Sequence, residues 1–232
     1  MTTYLTIHLN TSRTILDGLP ADDQLIEARR NVKIFVLPHE HAESMSDRDV
    51  PDYLVSDQMV RRYRELEPPI AAVIPEFQRI INEIERTYVL GFYFSTVSSA
   101  CVAIERLLNM ARLELHPYHE KIKTLWGKGA SNSWDENIDA LVQWKYVDDT
   151  FGTELKELYR EIRCVYLHSG PIIDTGDDAL RAATAAYKLV GIFLGFPTDL
   201  FKFTNQIECL DPTDPRFLAF YKQHILVQSG TG

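Results

Sequence analysis

The stretch "FYFSTVSSACVAIERLLNMARLEL", residues 92–115, decides the fold class. Apolar side chains recur in it every three or four residues, which is the period of one face of an α-helix. The members of this face are Phe94, Val97, Cys101, Ile104, Leu108 and Ala111. The small residues between them are Ser98, Ser99, Ala100 and Ala103. Because small side chains allow a second helix to approach closely, the stretch predicts a long helix inside a helical bundle.

From Ser56 onward the rest of the chain carries the same helical period, interrupted by capping and stop signals. Ser56 is expected to cap a helix that Pro68 and Pro69 end, since proline cannot continue a helix. Ser133 precedes an acidic first turn, and "SGP" (169–171) is a stop signal. The helices predicted from these signals span residues 56–68, 74–90, 92–115, 134–144, 150–168, 174–196 and 211–226.

The chain divides into a central helical domain and two smaller terminal segments. Residues 1–55 are expected to form a small N-terminal extension, in which "YLTIHL" (4–9) and "VKIFVLP" (32–38) are each compatible with a short strand. The polar residues 39–52 are expected to form a loop. Residues 56–205 then form an all-α bundle of five to six helices, followed by a C-terminal helix and tail over 206–232.

Composition and charge narrow the class of protein. The net charge of −9 disfavours nonspecific binding of a nucleic-acid backbone, which needs an excess of Lys and Arg, although "VRRYR" (60–64) and "EARRN" (27–31) are local basic clusters. The three scattered cysteines imply no disulfide framework and are expected to be small hydrophobes in a reducing compartment. No apolar stretch reaches the length of a membrane span, and "MTTYLTIHLN" is not a secretion signal. The sequence therefore predicts a cytoplasmic protein without membrane contact.

The sequence predicts neither a metal site nor a cofactor. His39 and His41, and likewise His116 and His119, have spacings that metals can use, but no cysteine or carboxylate set completes either site. The loop "GKGASNS" (127–133) lacks the spacing of a phosphate-binding loop. The chain also has no nucleophile elbow.

One pair of residues can carry chemistry without a metal. In "REIRCVYLHSG" (160–170), Arg163 and His168 stand five positions apart at the predicted end of a helix. Histidine can act as general acid or base near neutral pH, and arginine can stabilise negative charge that develops on phosphorus. Together they suffice for RNA cleavage in which the ribose 2′-OH attacks its own phosphate.

The spacing of this pair also limits how it can act. Five residues turn a helix by about 500°, which leaves Arg163 and His168 roughly 140° apart unless the helix end unwinds. A site built from two copies across a two-fold axis is the natural alternative, and Tyr166 lies nearer the face of Arg163. The structural alternative is that His168 interacts with the helix dipole and that Arg163 bonds to Glu105 or another carboxylate.

The context of the motif resembles the HEPN superfamily, an all-α group marked by Arg, four to six residues, and His near the end of a core helix. "TVSSACVAIERLLNMA" (96–111) is similar to the family's preceding long helix, and "DDALRAATAAYKLVGIFL" (177–194) to the helix that follows the motif. The resemblance covers about residues 70–200. Two positions depart from the family pattern: Cys164 follows the arginine, where the family often has Asn, and "SGP" follows His168 without the tyrosine of some toxin subgroups.

The resemblance implies a homodimer in which two motifs meet at a cleft. Active members are metal-independent endoribonucleases, often toxins or effectors in anti-phage defence and toxin–antitoxin systems, with an antitoxin or other regulatory partner. It assigns the scissile phosphate to Arg163 and acid–base catalysis to His168. Tyr166, by its helical spacing, and Glu105, as a possible carboxylate partner of Arg163, are added as candidate supporting residues. Many members have lost catalysis, so the alternative is a binding or dimerisation module that recognises a partner protein, a nucleotide or nucleic acid.

Overall fold

The computed structural model describes residues 8–9, 21–36, 55–66, 71–72, 75–115, 133–168, 175–194, 201–203 and 207–209. These residues contain seven helices, so the predicted all-α bundle is confirmed. The helices are α1 (Ala21–Val36), α2 (Asp57–Glu65), α3 (Pro75–Leu90), α4 (Tyr93–Leu115), α5 (Trp134–Gln143), α6 (from Asp149 to Leu167) and α7 (Gly176–Leu194). Two small antiparallel pairs complete the described part: β1 (His8–Leu9) with β2 (Ala71–Ala72), and β3 (Phe201–Phe203) with β4 (Ile207–Cys209).

Helix α4 lies at the centre of the bundle and packs against α3, α5, α7 and the C-terminal part of α6. The apolar face predicted for residues 92–115 is buried except for Phe94, which is 42% exposed. The prediction is wrong for Phe94, which lies in the first turn of α4. Its ring stacks on Tyr166 of α6, with 6.4 Å between the ring centroids. Buried residues beyond the predicted face are Thr96, Ala100, Ala103 and Leu107. The wider buried face is what a helix with neighbours on several sides requires.

Helix α7 packs against α4 through small side chains. Its buried alanines are Ala179, Ala182, Ala183, Ala185 and Ala186. Since alanine projects only one carbon from the backbone, the two helices can approach closely along this contact. Larger buried side chains, among them Leu189 and Phe193, follow toward the end of α7.

The N-terminal segment contains a helix where the sequence suggested a strand. "VKIFVLP" (32–38) is not a strand, because residues 32–36 form the last turns of α1. Ala28 and Val32 are fully buried four residues apart, which is a helical spacing, and they belong to a second apolar cluster with Val55, Val60, Tyr63 and Val89. Helix α1 thereby packs against α2 and α3. From "YLTIHL" (4–9), residues 8–9 are in β1.

The C-terminal predictions are only partly covered by the described residues. Strands β3 and β4 pair Phe201 with Cys209, so the boundary expected between residues 205 and 206 falls between two paired strands. The predicted loop 39–52 and the predicted helix 211–226 lie outside the described residues. None of the helices in the described ranges is long and apolar enough to cross a membrane.

Helix α6 is continuous but not uniform. The Asp148 side chain caps it by accepting the Phe151 N–H at 2.7 Å, after which Asp149–Leu158 is α-helical. Tyr159–Arg163 is a π-helical segment, closed by the bond from the Cys164 N–H to the Tyr159 carbonyl, and Cys164–Leu167 is α-helical again. Segments of this kind inside α-helices are rare and occur often at functional sites. The sequence predicted one helix over 150–168 and gave no sign of the π segment.

Two helices end in the same backbone motif with different residues at the strained position. At the end of α3, Gly91 has φ +84°, and the Phe92 N–H bonds to the Thr87 carbonyl at 2.8 Å. At the end of α5, Lys145 has φ +65°, and the Tyr146 N–H bonds to the Leu141 carbonyl at 3.0 Å. Both are Schellman motifs, in which the left-handed residue is usually glycine because a Cβ is strained there.

We expect replacement of the lysine at the second motif to stabilise the protein. Lys145→Gly should raise the free energy of unfolding by about 0.5–1 kcal/mol, because it removes the left-handed strain of a side-chain-bearing residue. Lys145→Ala is the control, since it keeps the Cβ and should give no gain. Gly91→Ala should lower the free energy of unfolding by more than about 1 kcal/mol, because the new Cβ would also overlap the Arg62 guanidinium. Urea denaturation measures all three, and equal stabilities of the two Lys145 variants would contradict the assignment.

Candidate functional site

Arg163 is held by an ion pair with α4. It is the last residue of the π segment, and its Nη2 donates to Glu105 Oε2 at 2.9 Å. The Arg163 side chain is 19% exposed and that of Glu105 is 38% exposed. The contact predicted as the structural alternative is therefore present. Because the pair is only partly open to water, its two charges neutralise each other more effectively than a fully exposed pair would.

Two aromatic rings complete the surroundings of the guanidinium. The Arg163 Cζ lies 5.1 Å from the centroid of Tyr159 and 5.7 Å from that of Trp134, both within the range of cation–π attraction. Trp134 is itself fixed, since its Nε1–H donates to the Leu155 carbonyl at 3.1 Å. Arg163 Nε is buried and has no hydrogen-bond partner among the described residues. The guanidinium is thus oriented by one carboxylate and two rings.

Two cysteines border the ion pair. Cys101 lies on α4 four residues before Glu105 and is almost fully buried, whereas Cys164 follows Arg163 and is partly exposed. Burial raises the pKa of the Cys101 thiol to about 12, with smaller upward contributions from Glu105 and Cys164, and the nearby Arg163 charge opposes the shift. Cys101 is therefore a protonated thiol at neutral pH.

Tyr166 joins the end of α6 to the start of α7. Its side chain is buried, and its hydroxyl donates to Asp178 Oδ2 at 3.2 Å and accepts the Thr175 N–H at 3.1 Å. Burial raises the pKa of this phenol above its ordinary value, so the hydroxyl stays protonated and can donate. The contacts of Tyr166 with Asp178, Thr175 and Phe94 give it a structural part in holding the end of α6 against the starts of α7 and α4.

His168 lies outside this packed region. Helix α6 ends at Leu167, and His168 has an extended backbone (φ −122°, ψ 174°) while its N–H still bonds to the Cys164 carbonyl at 3.2 Å. Its side chain is exposed and makes no hydrogen bond or ion pair with the described residues. The structure thus brings Arg163 and Glu105 together and leaves His168 at the surface.

The remaining candidates have other roles or fall outside the described part. In "VRRYR" (60–64) Arg62 is buried, and its Nε donates to the Gln58 carbonyl at 3.3 Å. In "EARRN" (27–31) Arg29 pairs with Asp57 at 3.3 Å. The histidine pairs at 39–41 and 116–119 are not among the described residues. Across the part that is described, no three metal-ligating side chains cluster.

The sequence did not single out a groove between α6 and α7. Its volume is about 470 Å³, and it is lined by Phe151, Glu154, Leu158, Leu180, Arg181, Thr184, Ala185 and Lys188. Lys188 Nζ lies 3.8 Å from the centroid of the Phe151 ring, and Arg181 pairs with Glu161 at 3.2 Å. The sequence signal was the spacing of Arg181 and Lys188, two turns apart on one face of α7.

Stability measurements distinguish the packed Arg163 from the exposed His168. Arg163→Ala should lower the free energy of unfolding by about 1–3 kcal/mol, because it leaves a half-buried carboxylate unpaired and removes two ring contacts. The double variant Arg163→Ala/Glu105→Ala should lose less free energy of unfolding than the two single variants lose together, by about 0.5–3 kcal/mol. His168→Ala should stay within about 0.5 kcal/mol of the wild type. Additive losses in the double-mutant cycle, measured by urea denaturation, would contradict the ion pair.

Comparisons with known protein families, with characterised proteins and with solved structures find no match to this chain.

Proposed function

We propose that this chain is a HEPN-type homodimeric module that binds a partner protein in the cytoplasm without cleaving RNA. The observation that carries the proposal is the ion pair of Arg163 with Glu105. To bind a scissile phosphate, Arg163 must attract an anion, but a carboxylate already lies 2.9 Å from its Nη2 and opposes a second negative charge. The guanidinium is also mostly covered by protein, which limits the approach of a phosphate.

The position of His168 supports the same conclusion. Acid–base catalysis on RNA requires the imidazole and the arginine to reach one phosphate. Arg163 faces α4 and the aromatic rings, while His168 is exposed beyond the helix end. Within one chain, Arg163 and His168 therefore lie in separate environments and do not form a joint site. The acidic net charge of −9 favours a protein as the partner over a nucleic-acid backbone.

Exposed apolar side chains at this end of the bundle support the homodimer. Phe94 is 42% exposed at the start of α4, and Leu167 is 38% exposed at the end of α6, immediately before His168. Both are adjacent to Tyr166, by ring stacking and by sequence. A two-fold interface uses the same surface on both copies, so each of these side chains contributes to the apolar contact once from each copy.

A second candidate function is the metal-independent endoribonuclease, acting as an effector in anti-phage defence or as the toxin of a toxin–antitoxin pair. The exposed imidazole of His168, which has no partner among the described residues, favours it. In that case a second copy would have to supply the missing half of each site, and Arg163 would have to exchange Glu105 for the phosphate.

RNA cleavage in EDTA distinguishes the two functions. For the binding module we expect purified wild type to leave RNA intact, as do Arg163→Ala and His168→Ala. Growth of cells that express the wild type should also be unaffected. Cleavage that requires both Arg163 and His168, together with growth arrest relieved by His168→Ala, would overturn the binding module in favour of the nuclease.

The dimer has its own test. Leu167→Glu and Phe94→Glu should each convert the dimer to a monomer, because each substitution places two charges, one from each copy, in an apolar contact. Light scattering after gel filtration measures the mass. Ile192→Glu is the matched control, since Ile192 is equally exposed near the far end of α7 and should leave the dimer intact. A monomeric wild type, or dissociation by Ile192→Glu alone, would contradict the proposed interface.

A further inference from the structure

The groove between α6 and α7 has an apolar floor. Phe151 and Leu158 of α6 line it and are 1% and 3% exposed, and Ala185 of α7 borders the same cavity and is also buried. These three side chains carry no polar atom, so the floor favours contact with apolar groups. The volume of about 470 Å³ lies within the range of clefts that bind ligands, roughly 300–1,000 Å³.

The two rims of the groove carry charges of opposite sign. Glu154 and Glu161 stand on α6, and Arg181 and Lys188 stand opposite them on α7. Arg181 Nη2 lies 3.2 Å from Glu161 Oε2, and Lys188 Nζ lies 3.9 Å from Glu154 Oε2. All four side chains are 46–57% exposed. Pairs this open to water contribute little to folding, so their charges remain available to a partner.

The apolar surface continues beyond the cavity along α7. Thr184, Lys188 and Ile192 are spaced four residues apart and therefore share one face of the helix. Ile192 is 37% exposed at the end of this line. From Arg181 to Ile192 the surface is about 16 Å long at 1.5 Å per residue. A compact small molecule would cover only part of it, whereas an extended segment of a protein would cover all of it.

An amphipathic helix is the segment whose pattern matches this surface. Such a helix has an apolar stripe with a charged flank on each side, and the pattern repeats every seven residues. Seven residues also separate the two charges on each rim of the groove. Laid between α6 and α7, the helix would place its stripe on the floor, a basic flank beside the α6 rim and an acidic flank beside the α7 rim. Docking of an amphipathic helix into an apolar groove is a recurring mode of peptide recognition.

We infer that the groove between α6 and α7 binds an amphipathic helix of a partner protein, with a basic flank toward α6 and an acidic flank toward α7. The inference rests on the proposed function, in which this chain is a module that binds a protein, and it names the binding surface and the chemistry of the partner. The residues that line the groove do not include Phe94 or Leu167, so the proposed dimer can offer one groove on each copy.

Three synthetic peptides of two heptads test the pairing of charges. All have the same leucine stripe, a fluorescent label and a side-chain lactam on the outer face that holds the helix. The mixed peptide has one lysine flank and one glutamate flank, whereas the other two have lysine on both flanks or glutamate on both. Reversing a helix exchanges its flanks, so the mixed peptide can match the two rims in one of its two directions.

We expect the mixed peptide to bind the wild-type protein about three- to tenfold more tightly than either of the other two, as measured by fluorescence anisotropy. The reason is that each uniform peptide places one flank against a rim of the same charge, and like charges across an interface oppose binding.

A groove with reversed charges should change this preference. Arg181→Glu/Lys188→Glu makes both rims acidic, so the peptide with two lysine flanks should become the tightest binder. Arg61→Glu/Arg64→Glu is the matched control, because both arginines are exposed on α2, do not line the groove and change the net charge by the same amount. That control should still prefer the mixed peptide.

A second variant blocks the floor without changing charge. Thr184 is exposed and lines the cavity, so Thr184→Trp should fold and should weaken the binding of all three peptides. Circular dichroism checks the folding of each variant, and Thr184→Trp decides the outcome if the charge-reversed variant is unfolded. Binding that Thr184→Trp leaves unchanged would overturn the inference.

Two further results would also overturn it. The first is equal affinity of the three peptides for the wild type, or no binding of any of them up to about 1 mM. The second is the same change of preference in the Arg61/Arg64 control as in the groove variant. The RNA assay keeps the proposed function separate. Intact RNA without peptide binding contradicts the groove alone, whereas cleaved RNA with groove-dependent binding contradicts the non-catalytic module alone.

Discussion

The enclosure of α4 by its neighbours is the constraint on which the rest of the structure depends. Helices α3, α5 and α7 and the end of α6 all pack on it, so only a narrow edge of α4 reaches the surface. A helix covered on several sides must be apolar over most of its circumference. Alanines of α7 permit the close approach. Glu105 lies near the uncovered edge, and this is where the Arg–His motif meets the bundle.

Most of the fold could be predicted from the sequence, because the helical period and the capping signals depend on residues only a few positions apart. Ser56 and Ser133 cap α2 and α5 as expected, accepting the N–H groups of Met59 and Glu136. Helix α1 was missed because its β-branched, apolar residues 32–36 are equally compatible with a buried strand, and only packing against α2 and α3 decides between the two. Local signals cannot report contacts between distant segments.

The candidate site was less predictable for the same reason. Residue types at 163 and 168 suggested chemistry. The angle expected between them assumed a regular helix, whereas the helix ends at Leu167 and the backbone of His168 is extended. The Glu105 contact could be offered from the sequence only as one of two alternatives, because 58 positions separate the partners. The rings of Trp134 and Tyr159 around Arg163 depend on the tertiary arrangement of side chains and left no local pattern. The groove between α6 and α7 left only the spacing of Arg181 and Lys188 on α7.

The π segment of α6 carries a consequence for how this chain tolerates changes in length. A π turn is equivalent to one residue added to a regular α-helix, so the segment Tyr159–Arg163 absorbs an insertion without shifting what precedes it. Deleting one residue there would restore a regular α-helix and leave everything beyond it in nearly its present orientation, because the π turn has already absorbed the added residue. Tyr166 would therefore keep its place against Asp178. A deletion in a regular part of the helix would instead turn the side chains that follow by about 100°.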